Sequence, residues 1–270
     1  MNEIIDAIKE STGATSDILA FAMLVVAGLI VIFTLIGVFI SIILFFKYNK
    51  LNHTKNSCDM TGLEVARKIL DDNDLQHIKV KATGSFIWGN SYSHVWKKVR
   101  LRRFTYKKNS VTSLAMAAQK SSLAILDKEH DPIMMKRNKL IPLQMFGPLM
   151  FLPLVIIGIV IDLLIASALD KDPNYAVAFT CAGLGVILYA ISFALTVVIL
   201  KAETKAQEKS IEILKKENLA NDTEIEQIKG LYKVYNLEYV NNMIIAFLEL
   251  VLRVLQIIAQ FQGKSSSSKD

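Results

Sequence analysis

The chain has 270 residues, 52% of them hydrophobic, with 31 Lys and Arg against 25 Asp and Glu and a mean hydropathy of +0.37. That composition excludes an ordinary soluble domain and points to a membrane protein. The two cysteines, Cys58 and Cys181, fall in a polar segment and an apolar run respectively, so no disulfide framework is expected.

Residues 1–17 form an acidic extracytoplasmic tail with Glu3, Asp6, Glu10 and Asp17 against Lys9. Ile18 to Phe46 then runs for 29 residues without a charge, beyond the roughly 20 that a helix needs to cross hydrocarbon. A secretory signal has a basic start and an apolar stretch of only about 7–15 residues, so this run is an anchor. Further transmembrane helices are expected at 140–169, which carries the single charge Asp162, at the uncharged stretch 175–200, and at 239–261, which carries Glu249 and Arg253. Pro142, Pro148 and Pro153 predict a late start or a kink in the second of these four.

Residues 47–139 hold 19 Lys and Arg against 8 Asp and Glu. By the positive-inside rule they face the cytoplasm and the N-terminus lies outside. Segment 201–238 is then a cytoplasmic helical segment, begun by alternating charges at helical spacing. Gly263 onward, with Ser265–Ser268, makes 262–270 a disordered polar tail.

Within 47–139, Thr61-Gly62-Leu63-Glu64 is a capping box that opens a helix with Val65, Ile69 and Leu70 on one face. Asp71-Asp72-Asn73-Asp74 ends it. Alternation predicts strands at 77–81 and 98–102, and a helix follows from Val111 to Leu126. The fold class is therefore an α-helical integral membrane protein with about four transmembrane helices and a small α+β module.

Tyr48-Asn49-Lys50, Asn56-Ser57 and Thr61-Gly62-x-Glu64-Val65-Ala66-Arg67-x-Ile69-Leu70-Asp71 resemble the start of the YugP-type bacterial membrane zinc metallopeptidases. Val99-Arg100-Leu101, Tyr106 and Ala117-Ala118 match at the same spacing, as do Tyr239-Val240 and Arg253. The resemblance covers roughly residues 47–260 and implies a metallopeptidase-like module in the plasma membrane. In that family Ala-Ala is followed by His-Glu-x-Gly-His: two histidines on consecutive turns hold zinc and the Glu between them acts as general base. The corresponding five positions here read Gln119, Lys120, Ser121, Ser122 and Leu123, and no His-Glu-x-x-His occurs anywhere in the chain. The third ligand that the resemblance implies survives as Glu203, while an acidic position two further on is Lys205.

A carboxamide and a leucine make no zinc site, so no metal and no cofactor is expected. The chain is read as not an enzyme: a pseudopeptidase that serves as a membrane-anchored scaffold or binding subunit of a larger complex. A divergent metallopeptidase with non-standard ligands, and a lipid- or ribosome-contacting adaptor, are the alternatives. His130, in Asp127-Lys128-Glu129-His130-Asp131, belongs either to a solvated loop or to a replacement metal site. The basic run with Lys97, Lys98, Arg100, Arg102, Arg103, Lys107 and Lys108 fits membrane lipids, a plain solvated surface, or nucleic acid. Asp162 is either a functional intramembrane group or a residue near the outer interface. Glu249 and Arg253, four apart, neutralise each other and pack against a neighbouring helix, in this chain, in a second copy or in a membrane protein partner.

Overall fold

The computed structural model describes residues 2–84, 89–171 and 175–267, without the side chains of 2, 142–148 and 261–267. Eight helices and a three-stranded sheet are present among them: α1 (Asn2–Thr12), α2 (Asp17–His53), α3 (Gly62–Asp71), β1 (Lys79–Thr83), β2 (Ser91–Ser93), β3 (Lys98–Arg102), α4 (Arg103–Lys107), α5 (Val111–Lys128), α6 (Pro132–Leu169), α7 (Ala176–Lys216) and α8 (Asp222–Ser267). Four helical stretches are long and apolar enough to cross a membrane: Asp17–His53, Leu149–Leu169, Ala176–Lys216 and Asp222–Gln260. The protein is thus mostly helical, with four candidate spans and one small sheet.

The chain divides into two units, the first comprising Met1–Gly37, Leu140–Val197 and Val240–Asp270. It is apolar on its outside, with Ile32, Leu164 and Ile187 about half exposed, as lipid-facing residues require. Close helix approach depends on small residues: a Cβ on Gly158 of α6 would sit 2.6 Å from Ala178 Cα of α7. Asp162 is buried and accepts from the backbone N–H groups of Val177 (3.3 Å) and Ala178 (2.7 Å). It caps the first turn of α7, whose N–H groups would otherwise lack partners. Of the two readings of Asp162, functional group or residue near the outer interface, neither is needed for its burial, which these backbone contacts satisfy.

The second unit comprises Val38–Lys139 and Val198–Tyr239. Thr61 and Glu64 form the capping box: Glu64 N donates to Thr61 Oγ1 at 3.3 Å, and Thr61 N to Glu64 Oε2 at 2.7 Å. Val65, Ala66, Ile69 and Leu70 are buried on one face of α3. Gly62 admits the neighbouring backbone, because a Cβ there would meet the Thr105 carbonyl at 2.1 Å. In the sheet, β3 lies between β1, parallel to it, and β2, antiparallel. Val99, Leu101 and Tyr92 point inward and are buried.

β3 occupies the expected residues. β1 starts two residues later than expected because Leu75 and Ile78 are drawn into the core, with a turn in which Ile78 N donates to Leu75 O at 3.0 Å. β2 and α4 add to the expected elements, and α1 is helical where a tail was expected. α6 begins at Pro132, upstream of the expected 140, and α8 extends to Ser267, into the segment read as a disordered tail. Residues 268–270 of that tail, and Asp172, Pro173 and Asn174 of the loop before α7, lie outside the described residues.

Candidate functional site

The site grows from α5. Ser110 caps its N-terminus, its Oγ accepting from Ser113 N at 3.1 Å, and every residue from Val111 to Asp127 is buried. A helix enclosed on all sides must find partners for its polar side chains inside the protein. Gln119 and Lys120 find theirs on α7. Gln119 Nε2 donates to Glu203 Oε2 at 3.0 Å and Lys120 Nζ donates to the same oxygen at 2.7 Å. From α6, Arg137 Nη2 donates to Glu203 Oε1 at 2.9 Å. The side chains of Lys120, Arg137 and Glu203 are only 10%, 6% and 6% exposed, so this is a buried cluster of two cations on one carboxylate.

Leu123, one turn after Gln119, is fully buried in the hydrophobic core. Ser121 and Ser122 place buried hydroxyls that lack hydrogen-bond partners, and so do Nε and Nη1 of Arg137. Arg137 is the member of the site that the sequence reading missed. In Lys136-Arg137-Asn138-Lys139, just before an apolar run, it looks like one more interfacial cation.

The donor set does not fit zinc. Zinc takes thiolate, imidazole or carboxylate ligands, four in a closed structural site or three with a water in a catalytic one. Here one carboxylate is present, and an ammonium and a guanidinium already compensate its charge. A dication placed beside them would be repelled. Among the described residues no group of three or more His, Cys, Asp or Glu is arranged to hold a metal ion.

Further along α5, Asp127 collects a second polar cluster. Tyr92 OH donates to Oδ2 at 2.6 Å, Asn138 Nδ2 to Oδ1 at 2.7 Å, and His94 Nδ1 lies 2.7 Å from Oδ2. Lys97 Nζ reaches Oδ2 at 3.3 Å while its side chain stays about half exposed. Burial pushes the Asp127 carboxyl up, but Tyr92, His94 and Lys97 outweigh it and hold the group below the ordinary carboxylate range. Burial and then the bond to Asp127 push the Tyr92 phenol up. The cluster borders a cavity of about 260 Å³ whose lining includes His77, His94 and His130, three of the four histidines. His130 is exposed there and follows the end of α5 in a left-handed backbone conformation, φ 51°. Lys205 pairs with Asp131, which also accepts from the backbone N–H groups of Ile133 and Met134 at the start of α6.

The remaining candidates lie apart from Glu203. β3 turns Lys98, Arg100 and Arg102 to its outer face, and Arg103 and Lys107 are exposed on α4. Lys98 Nζ lies 5.0 Å from the Trp96 ring centroid and Lys108 Nζ 5.9 Å from that of Phe104. In place of the expected pairing of Glu249 with Arg253, both meet aromatic side chains of neighbouring helices, and Tyr189 is common to the two. Tyr189 OH donates to Glu249 at 2.6 Å, and the Arg253 guanidinium stacks 4.2 Å from the Phe151 ring centroid. Aromatic neighbours from α6 and α7 intercept both charges.

Comparison with known proteins adds the family. A family model described as "Putative neutral zinc metallopeptidase" matches residues 25–259. The "Putative membrane protease YugP" of Bacillus subtilis (strain 168) is 23% identical over 212 residues, covering 77% of this chain and 85% of that protein. No solved structure matches. These findings overturn the expectation that the chain is not an enzyme. It was drawn from four replaced positions, whereas the match extends over most of the chain to a family described as peptidases. Replacement of motif positions does not by itself establish loss of activity. The chain belongs to the neutral zinc metallopeptidase family.

Proposed function

We propose that the protein is a membrane-anchored scaffold or binding subunit built on the zinc metallopeptidase fold. The observation that carries this reading is the closure of Glu203 by Lys120, Arg137 and Gln119, which ties α5, α6 and α7 together through side chains of the chain itself. A module braced in this way keeps its shape without a cofactor and can present its surface to a partner in the membrane. The strong positive balance of 47–139 supports a cytoplasmic position for that segment and an N-terminus outside.

A second reading is a divergent membrane zinc metallopeptidase with non-standard ligands. The family match and the buried Glu203 carboxylate favour it. Metal content separates the two. Detergent-purified protein is assayed by emission spectrometry, and its co-purifying proteins are identified by mass spectrometry. The scaffold reading expects no stoichiometric zinc and a stoichiometric membrane protein partner, retained in chelator. Zinc at one per chain, lost in Glu203→Ala, overturns it and establishes the second reading.

A further inference from the structure

Within residues 47–139 the large apolar side chains that stand exposed, among those described, are Val95 (75%), Trp96 (68%) and Phe104 (71%). Val95 and Trp96 are neighbours in the chain, so two of the three open side by side. Trp96 lies in the turn before β3 and Phe104 follows the strand, so the pair brackets it. Between them β3 alternates, with Val99 and Leu101 buried and Lys98, Arg100 and Arg102 on the opposite face. β1 is parallel and in register, with Lys79 opposite Lys98 and Lys81 opposite Arg100. Residues in register share a face. β2 adds Ser91 and Ser93, opposite Arg100 and Lys98.

The outer face of the sheet therefore carries five basic residues, with Asp and Glu absent from all three strands. Among the described residues Lys79, Lys81, Lys98 and Arg102 have no carboxylate partner within ion-pair distance. Like charges crowd one another, and burial, Arg100 and Lys81 together push the Lys98 ammonium below its ordinary range.

We propose that this sheet face docks on the anionic headgroups of a bilayer, with Trp96 and Phe104 inserted as interfacial anchors at its two ends. A flat cationic surface complements a layer of phosphates. Indoles settle at headgroup depth, and basic residues near an anionic surface each strengthen attachment about fivefold. The chain carries four candidate spans, so the lipid surface is always at hand. Single-stranded RNA would use aromatic platforms on the sheet itself, but Tyr92, the aromatic residue of the three strands, faces the core. The inference is independent of whether the site at Glu203 holds zinc.

The test uses full-length protein with Trp88→Phe, leaving Trp96 as the single tryptophan, in nanodiscs with or without anionic lipid. Acyl chains brominated near the headgroup serve as quenchers. The expected result is a blue-shifted, quenched Trp96 emission in anionic discs that reverts in 0.5 M salt. Lys79→Gln with Lys81→Gln, which leaves Trp96 itself unchanged, should lower the docking equilibrium constant roughly 25-fold. Circular dichroism verifies that the variants stay folded. Unquenched, water-like emission in anionic discs overturns the proposal. So does quenching that is insensitive to both salt and the lysine pair, or tighter binding of a single-stranded RNA oligomer that displaces no lipid contact.

Discussion

Replacing Glu203 by Ala is the most direct challenge to the buried cluster. The substitution removes the carboxylate and leaves Lys120 and Arg137, 10% and 6% exposed, facing each other without a counter-charge. It also takes the acceptor from Gln119. Breaking one buried pair by removing a partner costs about 3–5 kcal/mol, since the remaining charge has already lost its water. For a chain of this size that amounts to a fall in melting temperature of about 6–20 °C. Replacing all three charged members at once, with Lys120→Met, Arg137→Met and Glu203→Gln, removes the desolvation cost along with the attraction. Buried ion triads exchanged for apolar side chains of similar volume are often neutral or more stable. The triple variant should therefore recover most of what Glu203→Ala loses. The assay is thermal unfolding in detergent followed by circular dichroism, with chelator present throughout. If Glu203→Ala melts within 2 °C of the parent, the cluster does not brace the fold and the argument fails. If the triple variant melts as low as the single one, lost shape rather than unpaired charge is the cause.

Gln119→His with Leu123→His restores imidazoles at both positions but should destabilise the metal-free protein by about 2–5 kcal/mol. The fully buried Leu123 loses its apolar contacts and Gln119 its bond to Glu203, and an unchanged melting temperature would show that Leu123 is not packed. The carboxyls of Asp127 and Asp131 are both held below the ordinary range, so their stabilisation is complete above about pH 4 and is lost as the pH falls through the lower folded values. Melting temperature measured from pH 6 to pH 2 should fall less steeply in Asp127→Asn than in the parent, though from a lower starting point. For topology, single cysteines at Ser91 and Asn174 in a Cys58→Ser, Cys181→Ser background should react with an impermeant thiol reagent in intact cells at 174 and not at 91. The reverse pattern would invert the proposed orientation.

What could be read from the sequence divides by range. The Thr61–Glu64 capping box, the strand 98–102 and the start of α5 at Val111 depend on residues within a few positions of one another, and the structure has them there. β2 is three residues long and exists through its pairing with β3, which no local pattern announces. The site was legible in part. Gln119, Lys120, Leu123 and Glu203 were found because the resemblance gave their positions, but Arg137 is sequentially remote from its partner Glu203 and sits in a run of cations. Lys97 belongs to a basic run in the sequence, and in the fold it also reaches Asp127, a contact that no local pattern announces. Glu249 and Arg253 stand at the spacing that pairs charges on an isolated helix, yet neighbouring helices offered Tyr189 and Phe151 instead. The inference from four motif positions to a lack of enzymatic function was the weakest step, because family membership is carried by the rest of the chain.

A metal ion in a helical site does two jobs: it supplies chemistry, and it cross-links the elements that carry its ligands. The second job can pass to side chains. Two monocations, Lys120 from α5 and Arg137 from α6, supply the carboxylate of α7 with the counter-charge that a dication would give, and each is tethered to its own helix. Such a cross-link forms with folding and does not depend on free metal concentration. Ligand linkage makes the difference measurable: a metal bound to the folded state alone stabilises by about 4 kcal/mol at a thousandfold excess over its Kd. The parent protein should therefore melt at the same temperature in chelator and in 100 µM zinc, while the Gln119→His, Leu123→His variant combined with Lys120→Glu, which removes one competing cation, should gain stability from zinc. A parent melting temperature that rises with zinc and falls in chelator would mean that the metal still does the bracing, and that the contacts of Lys120 and Arg137 with Glu203 give way when it binds.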